Sequence, residues 1–249
     1  MALRIHALSV GRVFGLQKPT FTYLRGWGET MDCPLIMFVI QGGEHPIVVD
    51  TGADPVRAAE VHHIRMEQRP DETPTAALAS VGIDPADVRQ VVNTHLHWDH
   101  SSNNDLFPNA DVLIQRAELD FAREPVTWHR RNFEVFDDLP ASWRKAEERV
   151  RPVDGRLRIA DGVTLVPLPG HTPGSQGVLV ETASGPHLIA GDCIYTYENW
   201  EGDDTVAHIP VGIYTDLIAY EQSLRAIEEL DCVIIPGHDL RVLERGVFE

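Results

Sequence analysis

The chain has 249 residues, 43% of them hydrophobic and 24% charged, with a formal net charge of −17. That length allows one large or two small domains with a sizeable core, and the ordinary composition excludes a disordered or collagen-like chain. No run approaches the roughly 18 apolar residues of a membrane helix, and the acidic balance disfavours nucleic acid as a partner. The opening MALRIHALSVGRVFG carries Arg4, His6 and Arg12 through its apolar part, so no secretory signal is expected. Apolar runs at 35–40 and 46–49 read as buried strands, the second ending in Asp50-Thr51-Gly52. A helix is expected over 73–81, and Asp84 followed by Pro85 caps another short one. Strand-like runs recur at 91–92, before Asn93-Thr94-His95, and at 111–114. From about 118 to 152 the chain holds Trp128, Phe133, Phe136 and Trp143 among many charges, and is expected to be a helical or loop insertion near the site. Further strands are expected at 163–166, 177–180, 187–190 and 232–235. Asp216 caps a helix whose stripe Leu217, Tyr220, Leu224, Ile227 and Leu230 faces the core. Helices alternating with strands predict a layered α/β domain. With no repeat or linker to divide it, residues 1–249 read as a single domain. Cys33, Cys193 and Cys232 are too few and too scattered for a disulfide framework, so a reducing, cytoplasmic setting is expected.

The segment Thr94-His95-Leu96-His97-Trp98-Asp99-His100 follows directly on an apolar run and packs three histidines and a carboxylate into six residues. In an extended segment His95, His97 and Asp99 project to one side, and a turn brings His100 round. Imidazole and carboxylate donors suit zinc, iron, manganese or cobalt. Three further polar residues stand where an apolar run enters a turn: His171 in Pro169-Gly170-His171, Asp192 in Ala190-Gly191-Asp192, and His238 in Pro236-Gly237-His238. Alone, each also reads as a core histidine or a turn-capping aspartate. Together the seven exceed what one catalytic zinc can use, so two divalent metal ions are expected, zinc first among them.

This His-x-His-x-Asp-His segment, with a later histidine, an aspartate and a final histidine, resembles the metallo-β-lactamase-fold superfamily. The resemblance runs from Val49-Asp50-Thr51-Gly52 to His238 and implies a four-layer αββα sandwich with the site at one end, between two similar halves. It implies that His95, His97 and His171 hold one metal, that Asp99, His100 and His238 hold the second, and that Asp192 bridges them. Asp50 would orient loop backbone or a ligand histidine; ordinary turn capping is the other reading.

Two metals acidify a shared water and polarise a carbonyl or phosphoryl oxygen, so hydrolysis is the expected chemistry. True metallo-β-lactamases generally lack the aspartate found here at 192, and the superfamily's nucleases usually bring a nucleic-acid-binding domain. Within the superfamily the chain looks most like the N-acyl-homoserine lactone lactonases, the quorum-quenching hydrolases, because Tyr195 follows Asp192 by three positions. That likeness implies a lactone ring opened by a metal-bridging hydroxide, with Tyr195 donating to the carbonyl oxygen and Asp99 shuttling the proton to the leaving alkoxide. Trp98 and His208 are candidates to line the substrate pocket. Cys193 is not expected to act as a nucleophile. A glyoxalase-type thioesterase, or a hydrolase of another lactone or ester, is the alternative. The expected partner is a small lactone or ester and neither nucleic acid nor membrane, and a homodimer is expected only because isologous dimers are common.

Overall fold

The computed structural model describes residues 2–249. Its first sheet takes β1 (Arg4–Gln17), β2 (Thr30–Gln41), β3 (Ile47–Val49), β4 (Met66–Glu67), β5 (Gln90–Val92), β6 (Asp111–Gln115) and β7 (Val150–Val153). The second takes β8 (Leu157–Ala160), β9 (Val163–Pro167), β10 (Gln176–Thr182), β11 (Gly185–Ile189) and β12 (Val233–Ile235), after which β13 (Val247–Phe248) returns to the edge of the first. The spatial orders are β13-β1-β2-β3-β5-β6-β7, with β4 also on β1, and β12-β11-β10-β9-β8. Seven α-helices accompany the strands among the described residues: α1 (Pro55–Glu60), α2 (Pro74–Ser80), α3 (Trp98–Ser101), α4 (Arg116–Arg123), α5 (Tyr197–Glu201), α6 (Leu217–Glu228) and α7 (Leu240–Arg245). No helix among the described residues is long and apolar enough to cross a membrane.

The layering follows from which faces of the strands are apolar. In β2, Ile36, Phe38 and Ile40 share a buried cluster with Val163, Leu165, Val178 and Val180 of the second sheet. The alternate residues Leu35, Met37 and Val39 join a second cluster with Ala58 of α1 and Ala77 and Leu78 of α2. A strand buried on both faces reads as an unbroken apolar run, which is why 35–40 shows no alternation. On the far side of the second sheet, Leu179, Leu188 and Ile234 lie in that same cluster with Tyr220, Leu224 and Ile227 of α6. The order is helix, sheet, sheet, helix.

Each expected apolar run falls on a strand. The helix expected over 73–81 is α2, capped by the Thr73 hydroxyl, which accepts from the Ala76 N–H at 3.3 Å. Asp84 accepts from the Ala86 N–H at 2.8 Å, but the helix it caps is one 3-10 turn, Pro85–Asp87. Asp216 caps α6 through the N–H groups of Ile218 and Ala219, and Tyr220, Leu224 and Ile227 are buried while Leu217 at the first turn is 37% exposed.

Two features differ from expectation. The stretch 118–152 is not wholly an insertion: it begins inside α4 and ends in β7, which pairs in parallel with β6. Because β7 is an edge strand it tolerates Pro152, the residue that hides it in the sequence. The N-terminal segment forms a 14-residue strand, β1, whose alternation is broken by register shifts between Ser9 and Arg12 and between Val13 and Leu16, next to Gly11 and Gly15.

Candidate metal centre

Polar residues converge where five strands end, a placement open sheets favour for ligand sites. Asp50 follows β3, His95 to His100 follow β5, His171 follows β9, Asp192 follows β11 and His238 follows β12. The extended backbone expected through the motif stops at His97, whose φ of −62° and ψ of 152° make it the N-cap of α3. Asp99 and His100 therefore sit on one helical turn, and Asp99 does not join His95 and His97 on a common strand face. Gly191 adopts φ +51°, and a Cβ there would fall 2.6 Å from the Thr94 Cβ, so only glycine lets the Asp192 turn approach the motif this closely.

The ligand-type atoms form two groups. His171 Nε2 stands 3.3 Å from His95 Nε2 and 3.1 Å from His97 Nδ1. Asp192 Oδ2 lies 3.5 Å from His95 Nε2 and 3.2 Å from His171 Nε2. The other carboxylate oxygen, Asp192 Oδ1, is 3.2 Å from His100 Nε2 and 3.0 Å from His238 Nε2, nitrogens that face each other at 3.3 Å. Asp99 Oδ2 is 3.7 Å from His100 Nε2. Within each group, His95, His97, His171 and Asp192 on one side and Asp99, His100 and His238 on the other, the atoms lie within 4.8 Å of one another. Asp192 thus presents one oxygen to histidines of each group.

The outer ring nitrogens explain why the inner ones are free to coordinate. His100 Nδ1–H donates to Asp50 Oδ2 at 2.7 Å, His171 Nδ1–H to the Ile213 carbonyl at 2.7 Å, and His238 Nδ1–H to the Pro34 carbonyl at 2.9 Å. The Thr94 hydroxyl donates to Asp50 Oδ2 at 2.8 Å and lies 3.2 Å from His95 Nδ1, from which it accepts. In the neutral ring each bond selects the tautomer that leaves Nε2 free to coordinate. His97 differs: its Nδ1 faces inward, and its buried Nε2 has no hydrogen-bond partner among the described residues. Asp50 plays both parts foreseen for it, since its Oδ1 also accepts from the Thr94 N–H at 2.7 Å.

Burial pushes the His95 and His97 imidazoles well below their ordinary value and holds them neutral, the form that ligates. Burial acts against the His100 imidazolium too, but the Asp192, Asp50 and Asp99 carboxylates outweigh it and hold that ring well above its ordinary value. A cation entering there displaces a proton. Asp192 Oδ1 is buried without a hydrogen bond of normal geometry although two imidazole nitrogens crowd it, and three pairs of imidazole nitrogens face each other at 3.1 to 3.3 Å. Divalent cations satisfy all of these donors at once, so the residues fit them.

A cavity of about 470 Å³ opens onto the cluster. Asp99, Asp192, His238 and Tyr195 line its floor, Phe14, Leu16, Phe21 and Ile213 give it apolar walls, and Arg65 and Arg131 add cationic groups. The Tyr195 ring is buried, edge-on to Phe21 at 5.4 Å and 5.2 Å from the His238 ring. Burial, with Asp192 and Asp99 adding to it, pushes the Tyr195 phenol well above its ordinary value of 10.0 and keeps it a neutral donor. Trp98 lines the cavity and is also buried, stacked on His62 at 4.2 Å. The structure does not bring His208 there. Its ring stacks on Trp200 at 4.0 Å, with Nδ1 2.6 Å from the Trp200 carbonyl and Nε2 3.0 Å from Glu228, so both nitrogens are engaged away from the cavity. Burial beside Asp192 pushes the Cys193 thiol up, which leaves it protonated and a poor nucleophile. The sequence gives no signal for the Pro34 and Ile213 carbonyls that orient two histidines, because any residue supplies a carbonyl.

The Metallo-beta-lactamase superfamily model matches residues 36–238. The chain belongs to that superfamily. Among relatives in the superfamily, an N-acyl homoserine lactonase from a Bacillus species is 29% identical over 234 residues, covering 88% of this chain and 86% of its own. One from Azorhizobium caulinodans is 34% identical over 175 residues, covering 69% and 65%. A solved N-acyl homoserine lactone hydrolase, with N-hexanoyl-L-homoserine bound at its catalytic metal centre, superposes with a TM-score of 0.79 at 25% identity over 98% of this chain and 97% of that one.

Proposed function

We propose that the chain is a metal-dependent lactonase that opens the ring of N-acyl homoserine lactones. The observation that carries this reading is Asp192, whose two oxygens face imidazoles of separate groups on the floor of a cavity that also holds Tyr195. The lactonase relatives, aligned over most of the chain, supply the substrate class. In this reading His95, His97 and His171 hold one metal, Asp99, His100 and His238 a second, and Asp192 both. Zinc is the ion assigned, on a donor set of five imidazoles and two carboxylates. When bound, such cations supply an acidified water and polarise a carbonyl.

The chain's own residues do the remaining work. The apolar walls take the acyl chain and exclude water. Tyr195 Oη donates to the lactone carbonyl oxygen and strengthens that bond as the oxygen gains charge, without adding charge of its own. Asp99 turns Oδ2 toward the cluster, so Oδ1 is the atom assigned to carry a proton to the ring oxygen as it leaves. Trp98 forms part of the pocket wall, braced by His62. Residues 1–249 are taken as one hydrolase domain, and the three free thiols support a cytoplasmic setting.

Product mass analysis tests the assignment: metal-loaded protein and a His97→Ala control are incubated with acyl-homoserine lactones, simple lactones and glutathione thioesters. Ring-opened acyl-homoserine formed only by the parent protein is expected. Intact acyl-homoserine lactones beside cleaved thioester would replace the reading with the thioesterase alternative.

A further inference from the structure

We propose that Glu118 is a positioning residue that locks the loops carrying His95, His97 and His171 into one metal-binding set; this rests on the ligand reading above. Glu118 lies in the first turn of α4, fully buried, and is not itself in either group of ligand-type atoms. Its Oε1 accepts from the N–H of Leu96, the residue between His95 and His97, at 2.9 Å. Its Oε2 accepts from the Thr172 hydroxyl at 2.6 Å and from the Gly174 N–H at 3.2 Å, just beyond His171. One carboxylate therefore joins two loops that are far apart in sequence.

The docking is close. A Cβ at Gly174 would fall 2.1 Å from the Glu118 nitrogen, so the His171 loop rests directly on the first turn of α4. Burying a carboxylate is costly, and the three hydrogen bonds to Glu118 offset that cost. What it adds is geometry, since three donors from two loops converge on one rigid group. Asp50 does the corresponding work for the other group through His100. Among the described residues Glu118 bonds to the loops of His95–His97 and His171 and makes no hydrogen bond to the His238 loop, so its removal acts first on the group that contains His171.

The full-length chain, stripped of metal, is titrated with Co²⁺ against a competing chelator while the visible absorbance of bound cobalt is followed. His171→Ala and His238→Ala mark which uptake step belongs to which group. Glu118→Gln keeps the volume but sets an amide against the Gly174 N–H. It is expected to weaken the His171-marked step by about 10- to 100-fold and to alter its cobalt spectrum, leaving the other step unchanged. Thr172→Val, which deletes one of the three bonds, is expected to weaken the same step less, and guards against a Glu118→Gln chain that fails to fold. Unchanged steps, or equal weakening of both together with a lower melting temperature of the metal-free protein, would overturn the positioning role. A parent chain that takes up no cobalt would instead overturn the ligand reading on which the proposal stands.

Discussion

Asp50 Oδ2 lies 2.7 Å from His100 Nδ1, while Asp50 itself adopts φ +58° at the end of β3. The same carboxylate also accepts from the Thr94 N–H and hydroxyl, so one residue sets the path of the motif loop and the tautomer of a histidine. Asn, like Asp, adopts the left-handed backbone, so Asp50→Asn keeps the turn but removes the charge and sets an amide NH2 against donors that one of the two carboxylate oxygens accepts from. It is expected to lower metal affinity by about 10- to 100-fold, read by chelator competition, with the fold retained by circular dichroism.

Tyr195→Phe separates oxyanion stabilisation from metal binding. The ring keeps its contacts with Phe21 and His238 and loses only the hydroxyl. Metal content is expected to stay that of the parent while kcat on an acyl-homoserine lactone falls by about 100-fold or more. A metal-loaded variant with full turnover would remove Tyr195 from the mechanism.

His208→Ala is expected to leave kcat/KM on acyl-homoserine lactones unchanged. The ring is bonded to Trp200 and Glu228 and lies outside the cavity wall, so its loss is felt as a small fall in melting temperature. A selective rise in KM would return it to the substrate pocket.

Acid sensitivity is expected from Glu134, which is buried at φ +53°. Burial pushes its carboxyl up, but bonds from His62, Ser142 and Arg57 outweigh burial and hold it down from 4.5 to about 2. Because the folded value is depressed, the stabilisation is complete above the unfolded value and is lost as pH falls from about 4.5 toward 2. That difference corresponds to on the order of 3 kcal/mol. Urea unfolding of the parent and Glu134→Gln at pH 7 and pH 3 checks it: the gap between them is expected to narrow at the lower pH. The consequence reaches the site, because His62 stacks on Trp98.

The strands were legible where both faces are buried, as in 35–40, since an unbroken apolar run is hard to mistake. They were hidden where bulges near Gly11 and Gly15 break the alternation of β1, and where Pro152 sits in an edge strand. His95, His97, Asp99 and His100 could be read because their spacing is local and their chemistry is uncommon, whereas His171, Asp192 and His238 are single residues at strand ends that gain meaning only when joined to that segment. The groups behind them could not: Glu118 meets Leu96 and Thr172 only after folding, and the Pro34 and Ile213 carbonyls carry no side-chain signature. His208 shows the opposite error, a histidine in a suggestive segment that packing turns toward Trp200.

The most direct measurement is the rate of acyl-homoserine lactone ring opening as metal-free protein is titrated with zinc. Turnover that rises until two equivalents per chain are bound, and is absent from Asp192→Asn at any loading, is the expected result. Saturation at one equivalent, or no ring opening with two bound, would contradict the account.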